Sequence, residues 1–432
     1  MDLQASRVAV ADVNHGGLTL AEELISLGYG AFAVDIYGTR KPAGETVRVV
    51  SPADAGRFDA LVAPVHMPPG PLTDYALKEG IPVLTHHRVA GMIAMATGRL
   101  RGMRSVEITG TRGKTTTAFA LAGILDTAGE LVLLHTSHGL FFEGRPLGRR
   151  FSIAPASLLL ALDEAKSVGL APTVFVAEVS LGGCGTADVG VITTLKDEYP
   201  IAGGTARSCE AKMQMIEYAR PGSTIVHESS FSFAGDDLPR EIAFGRGGDV
   251  YYDDEGRIAF ALFPGETIDP CRSMTVDLAA YRQPMLCAAA AAFALGVPPE
   301  AIRTGLERFD GVPGRMKYET LEGRRLVDNS SSGLSPAGVQ HALSAGQIGK
   351  GRRVLVVGEE KYNVCEGLEP VRVLEIAGIA NVDGVVLVGE RLREPAHATG
   401  RAWASDLKGG ITAALALTMP GDTIISCVKT WR

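Results

Sequence analysis

The stretch that most limits what this chain can fold into is "SVEITGTRGKTTTAF", residues 105 to 119. A short apolar strand, "SVEI", enters a loop with two glycines, and a helix opens at about Thr115. A strand, tight loop and helix in that order belong in a parallel sheet covered by helices, so the fold class is α/β. The loop closes on Gly113, Lys114 and Thr115, the end of a phosphate-binding loop. The common pattern, G-x-x-x-x-G-K-[ST], wants its first glycine at position 108. Ile108 stands there, and the nearest glycine is Gly110. Backbone amides of Gly110, Thr111, Arg112, Gly113, Lys114, Thr115 and Thr116 would line an anion nest at a helix N-terminus. Lys114 would reach the β- and γ-phosphates, and the Thr115 hydroxyl would touch Mg²⁺.

A phosphate loop needs a carboxylate nearby to hold that metal. "TVFVAEVS" is the natural source, with Glu178 at the exit of an apolar strand. "TTLKDEYP" closes the next strand with Asp197 and Glu198, a second candidate. The helix after the loop is "TTTAFALAGILDTAG", and "SCEAKMQMIEYA" supplies a later one. A hairpin is expected in "VYYDDEGRIAFALF", turning at Asp254 to Gly256, and a buried helix over Met285 to Leu295.

The start of the chain reads as strand "RVAVADV", turn "NHGG", helix "LTLAEELISLGYG" and strand "AFAVDIY", with Asp35 near its end. This is the opening βαβ unit of a doubly wound sheet. Further strands are expected at "DALVAPV" and "IPVLTHH". "FDGVPGRMKYE", with Gly311, Pro313 and Gly314, reads as a hinge. Beyond it, near-continuous apolar runs at "RRLVDNS", "RRVLVVGE", "DGVVLVGE" and "DTIISCV" alternate with helices near 335–346, 368–380 and 405–419.

The 432 residues suit about three domains of roughly 150 residues. A formal net charge of -7 predicts no general attraction to nucleic acid. The six cysteines form no C-x-x-C pair and read as reduced thiols. No basic-then-apolar leader opens the chain, and no apolar run approaches the ~20 residues of a membrane span. A soluble cytoplasmic protein is expected.

These residues resemble the Mur ligase family, which forms amide bonds by activating a carboxylate as an acyl phosphate. Its loop reads T-G-T-x-G-K-T-T, as Thr109 to Thr116 do, so the late glycine is the family's own form. The resemblance covers the whole chain. It implies three domains: a Rossmann-like substrate domain over 1–103, a central ATP-binding domain with a mostly parallel sheet over 104–312, and a Rossmann-like C-terminal domain over 313–432. It implies ATP and Mg²⁺ as cofactors. Glu178, in Glu178-Val179-Ser180, falls on the family's magnesium glutamate. Lys212 falls on a lysine often carbamylated to bind a second Mg²⁺; a surface helix lysine is the other reading. Arg315 falls on a hinge arginine for ATP phosphates, Asp328 on an aspartate near the ribose, and Lys361 on a lysine of the C-terminal domain. Three departures stand out. Asp197 and Glu198 replace an Asp-His pair, Thr194 replaces an asparagine, and Gln283 and Pro284 replace an adenine-binding Asn pair.

The N-terminal run "ADVNHGG … LAEELISLGY … VDIYG" is similar to a methanogen branch of that family. That similarity implies a nickel tetrapyrrole substrate, whose propionate is activated and then attacked by a ring carbon to close a carbocycle. His15, Gly16, Gly17, His86, His87 and His138 are candidate substrate residues, with His15 also catalytic beside Lys114, Glu178 and Lys212. Each histidine alone is ordinarily a satisfied polar residue. As a group with His66 and His135 they could face one cleft at strand C-termini and meet carboxylates or nickel. Arg99, Arg101, Arg104, Arg145, Arg149 and Arg150 are either carboxylate contacts or a solvated surface. Two other functions remain open: a Mur-type amide ligase using an amino acid or ammonia, and a nucleotide-binding regulator without chemistry.

Overall fold

The computed structural model describes residues 7–39, 46–233, 239–269, 275–348, 351–360 and 368–430. The chain divides into two compact units. One comprises Met1–Pro270 with Gln283–Leu306, the other Cys271–Arg282 with Glu307–Arg432.

The first unit holds two large sheets. The N-terminal one is a five-stranded parallel sheet of Arg7–Ala11, Gly30–Val34, Val49–Val50, Ala60–Ala63 and Val83–Thr85. In space the third strand lies outermost, then the second, first, fourth and fifth. The order reverses between the first and fourth strands, and ligand crevices in such sheets open at that switch point, beyond the strands' C-terminal ends. The helices Gly17–Ser26 and His86–Ala96 share a core with the helix Ser157–Ser167 of the following sheet, through Leu20, Leu24, Val89, Ile93, Leu158 and Leu162. Each such side chain stabilises the fold by roughly 1.5–3 kcal/mol through burial. The contact is close: a Cβ on Gly91 would stand 1.9 Å from the Cys184 carbonyl oxygen.

The second sheet of this unit has eleven strands. Arg104–Thr109 lies between Val174–Glu178 and Val189–Ile192, all parallel. The apolar runs of these strands follow from burial on both faces, since helices cover them. The sheet ends in antiparallel pairs, among them the expected hairpin, where Val250–Tyr252 pairs with Ile258–Phe260. The run "SCEAKMQMIEYA" forms two short helices, Ser208–Lys212 and Gln214–Glu217.

The second unit carries a six-stranded sheet in which Arg324–Asp328, Thr423–Lys429, Arg353–Glu359, Gly384–Val388 and Ala402–Ala404 run parallel, with Lys317–Leu321 antiparallel at one edge. Among the described residues no helix is long and apolar enough to cross a membrane. Cys184, Cys209, Cys287 and Cys427 are free thiols.

Candidate active site

The phosphate loop is shaped by close approach. Gly110 and Gly113 adopt φ of 141° and 81°, where a side chain is strained. A Cβ on Gly110 would also stand 2.0 Å from Thr193 Oγ1. The Thr193 hydroxyl lies 2.5 Å from the Arg112 carbonyl oxygen, and the Thr111 amide donates to the Thr194 carbonyl at 2.9 Å. The neighbouring strand end thus braces the loop. Lys114 Nζ donates to the Gly110 carbonyl at 3.0 Å, folded over the loop at the first turn of helix Lys114–Thr127. Thr117, one turn into that helix, reaches the Pro284 carbonyl at 3.4 Å, so Pro284 packs beside the loop.

The carboxylate of Glu178 meets the loop from the adjacent strand, where Glu178 pairs with Ile108. It is 3 % exposed. Thr115 Oγ1 donates to Glu178 Oε2 at 2.9 Å, and the Ser137 amide donates to the same oxygen at 3.1 Å. Ser137 Oγ lies 3.3 Å from Thr115 Oγ1. A carboxylate with hydroxyls around it is the donor set of a hard divalent cation, so Thr115 and Glu178 could hold one. Ser137 was not singled out by sequence. It follows a strand that pairs with the Glu178 strand, and only that pairing brings it in. His138, next along, stands edge-on to Phe119 of the loop helix at 5.9 Å. His135 is buried, and burial lowers its pKa to about 4 despite the pull of Glu178, so it stays neutral.

Asp197 pairs with Arg112 at 3.3 Å. Glu198, expected at the metal, instead contacts Arg207 and accepts from Cys209 Sγ at 2.8 Å. Asp197 and Glu198 lie in an exposed segment beyond the strand Val189–Ile192, and Glu198 is drawn to the Arg207 guanidinium. A group absent from the sequence reading gathers on Glu228: Lys196 Nζ at 2.5 Å, with Thr194 Oγ1 and Gln283 Nε2 each at 3.3 Å. Lys212 is buried, donating to the Ser208 carbonyl at 3.1 Å with its ammonium over the Tyr199 ring. It is not a surface lysine.

In the second unit Arg315 and Asp328 meet around one turn. Asp328 is buried and accepts from the Gly314 amide at 2.9 Å, while Arg315 donates to Ser331 Oγ at 3.0 Å. Lys361 lies outside the described residues.

A polar cluster forms at the switch point of the N-terminal sheet. Asp12 follows the first strand with φ of 71°, and His66 follows the fourth. Asp12 is fully buried. Its Oδ1 accepts from the Asn14 amide at 2.8 Å, and its Oδ2 lies 2.6 Å from His15 Nδ1 and 3.5 Å from His66 Nε2. Burial pushes this carboxyl up, but the imidazoles and the Asn14 amide outweigh it and hold the group well below the usual range. Gly16 and Gly17 keep the turn compact, since a Cβ on Gly17 would stand 2.0 Å from the Asp12 carbonyl oxygen. Asp12 lacked a sequence assignment, although a carboxylate at a strand exit was the same signal that marked Glu178.

His86 and His87 differ from the expected substrate contacts. Both open the helix His86–Ala96 and are buried, with Nε2 on the Ala11 carbonyl at 2.9 Å and the Ser180 carbonyl at 2.7 Å. Apolar packing of that helix carries both rings inward, where they tie its first turn to the neighbouring strand ends. Burial lowers both pKa values to about 4. Of the arginines, Arg99 is held by Glu23 and Asp163, Arg104 by Glu130, and Arg149 by Glu164.

Comparison with known proteins follows the same geography. Residues 318–430 match the family model described as coenzyme F430 synthetase CfbE, C-terminal domain. The chain is 36 % identical to a coenzyme F(430) synthetase of Methanosarcina acetivorans, covering 100 % of both chains. It is 26 % identical to a UDP-N-acetylmuramoylalanine–D-glutamate ligase of Chlorobium phaeobacteroides, over 98 % of this chain and 94 % of that one. Among solved structures, a bifunctional folylpolyglutamate synthase/dihydrofolate synthase with Mn, AMPPNP and L-glutamate bound superposes with a TM-score of 0.57 at 18 % identity, over 79 % of this chain and 90 % of that one. That likeness is one of fold.

Proposed function

The chain belongs to the coenzyme F(430) synthetase family of Mur-type ligases, and from that we propose that it closes a carbocyclic ring on a nickel tetrapyrrole, seco-F(430) acid, at the expense of ATP. A propionate oxygen of the substrate attacks the γ-phosphorus, the bond to ADP breaks, and an acyl phosphate forms. A ring carbon then attacks the acyl carbon, phosphate leaves, and the carbon gives up its proton. The observation that carries the reading is the buried Glu178 carboxylate aimed at Thr115 beside the loop that holds Lys114.

In this reading the amides from Gly110 to Thr116 and Lys114 cradle the phosphates and supply positive field where charge grows on the transferred group. Thr115 and Glu178 hold Mg²⁺, which neutralises charge on the phosphate oxygens when bound. The loop and Glu178 serve the nucleotide, and His15, Gly16, Gly17 and His138 serve the tetrapyrrole, the first three from residues 1–103. Lys212, enclosed beside Tyr199, serves a second cation once carbamylated. No protein nucleophile is needed.

The test incubates the protein with ATP, Mg²⁺ and the open-ring nickel precursor. The expected product is lighter by one water, with ADP formed in equal amount. ADP release that requires ammonia or an amino acid would establish the amide ligase instead. Nucleotide binding without turnover would establish a regulator.

A further inference from the structure

Among the described residues, Asp12, His15 and His66 each offer a metal-ligating atom, and the three atoms lie within 4.8 Å of one another. We propose that these side chains bind one divalent transition-metal ion through two imidazole nitrogens and a carboxylate oxygen. Bonds of about 2.0–2.1 Å in a tetrahedral site place neighbouring ligand atoms roughly 3.3 Å apart. The 3.5 Å between His66 Nε2 and Asp12 Oδ2 already has that size. The 2.6 Å between His15 Nδ1 and Asp12 Oδ2 is a hydrogen bond, which opens slightly to admit an ion.

Three further observations point the same way. His66 Nε2 is buried without a hydrogen-bond partner, a cost that a metal bond removes. The Asn14 and His15 amides donate to Asp12 Oδ1 at 2.8 and 3.3 Å, which aims Oδ2 at the two rings as an outer shell aims a metal ligand. Asp12 takes a left-handed backbone conformation, a strain that clusters at ligand clamps.

The ligand set selects the ion. Two imidazoles and one carboxylate suit Zn²⁺, Co²⁺ or Ni²⁺ and not Mg²⁺ or Ca²⁺, which prefer oxygen throughout. The His15 side chain is 50 % exposed, so a fourth position opens to the crevice for water or a carboxylate oxygen. The arrangement fits a free ion better than a metal inside a macrocycle. A planar tetrapyrrole leaves one axial position on each face, and three ligands converging on one point cannot share it. The ion is therefore a different one from the metal of the substrate.

The experiment uses the full chain, stripped by a chelator, in a Glu178→Gln background that removes the carboxylate at the ATP loop. Co²⁺ and Zn²⁺ are titrated by calorimetry, and Co²⁺ also by its visible spectrum. One equivalent should bind, with the intense bands of four-coordinate Co²⁺. Asp12→Asn and His66→Gln should raise the dissociation constant by more than the roughly 10–100-fold that loss of an outer-shell partner causes. Melting temperatures in chelator report folding. His66 Nε2 has the 3.5 Å contact with Asp12 Oδ2 and no formed hydrogen bond, so His66→Gln disturbs the fold less and carries the test if Asp12→Asn misfolds. Absence of saturable binding in the Glu178→Gln parent, or undiminished binding in His66→Gln, would overturn the site.

Discussion

Lys114 and Glu178 place opposite charges at one end of the same sheet, and the sequence singles out each for a simple reason. A lysine at the close of a glycine loop and a carboxylate at the exit of an apolar strand have few structural uses. Lys114→Ala should abolish measurable ADP formation, because the loop loses its phosphate lysine, whose Nζ lies over the Gly110 carbonyl. Glu178→Gln keeps the shape and removes the charge, and turnover should fall by roughly 100- to 1,000-fold, the scale set by a single charge-stabilising group. Steady-state ADP release checks both, and wild-type rates in either variant would remove the loop from the chemistry. Ser137 escaped notice because a serine carries no signal of its own. Its amide reaches Glu178 only through strand pairing. Glu198 shows the reverse case, where residue type was suggestive and a nearby guanidinium decided the contact.

Elements were readable wherever periodicity was strong. The loop strand, the loop helix, the hairpin at 250–260 and the four apolar strands of the C-terminal sheet all form where expected. Shorter pieces, such as the strands Val49–Val50 and Ala402–Ala404 and the helix Arg393–Ala398, carry too few residues for a pattern to rise above chance. The shape of the loop itself is set by glycine. Gly110→Ala would force a Cβ onto Thr193 Oγ1 at a φ of 141°, and backbone strain of this kind costs roughly 1–3 kcal/mol. The expected outcome is a loss of ATP affinity larger than the loss of stability, measured by calorimetry and by urea unfolding on the same sample. Equal nucleotide affinity in the variant would mean that the loop tolerates another path.

For the molecule as a whole, buried histidines make stability depend on pH. His86, His87 and His135 stand at about 4 against an ordinary 6.5, each because burial disfavours the cation. Between those values the unfolded chain takes up protons that the folded chain refuses, so stability rises with pH across the window and falls on acidification. By pH 4 the loss approaches roughly 3 kcal/mol for each histidine. Asp12 is held low and weakens only in stronger acid. Urea midpoints measured from pH 7 to 4.5 should fall steadily, and His87→Gln should flatten the slope. A midpoint constant over that range would contradict the burial of these rings. The amino-acid order alone was enough for the α/β class and the family resemblance, because these are carried by short contiguous patterns whose meaning is local. It could not say that His86 and His87 turn inward while His15 and His66, far apart in the chain, converge on Asp12. Those outcomes depend on strand order and on which helix face is covered, and such long-range packing leaves no mark within any one segment.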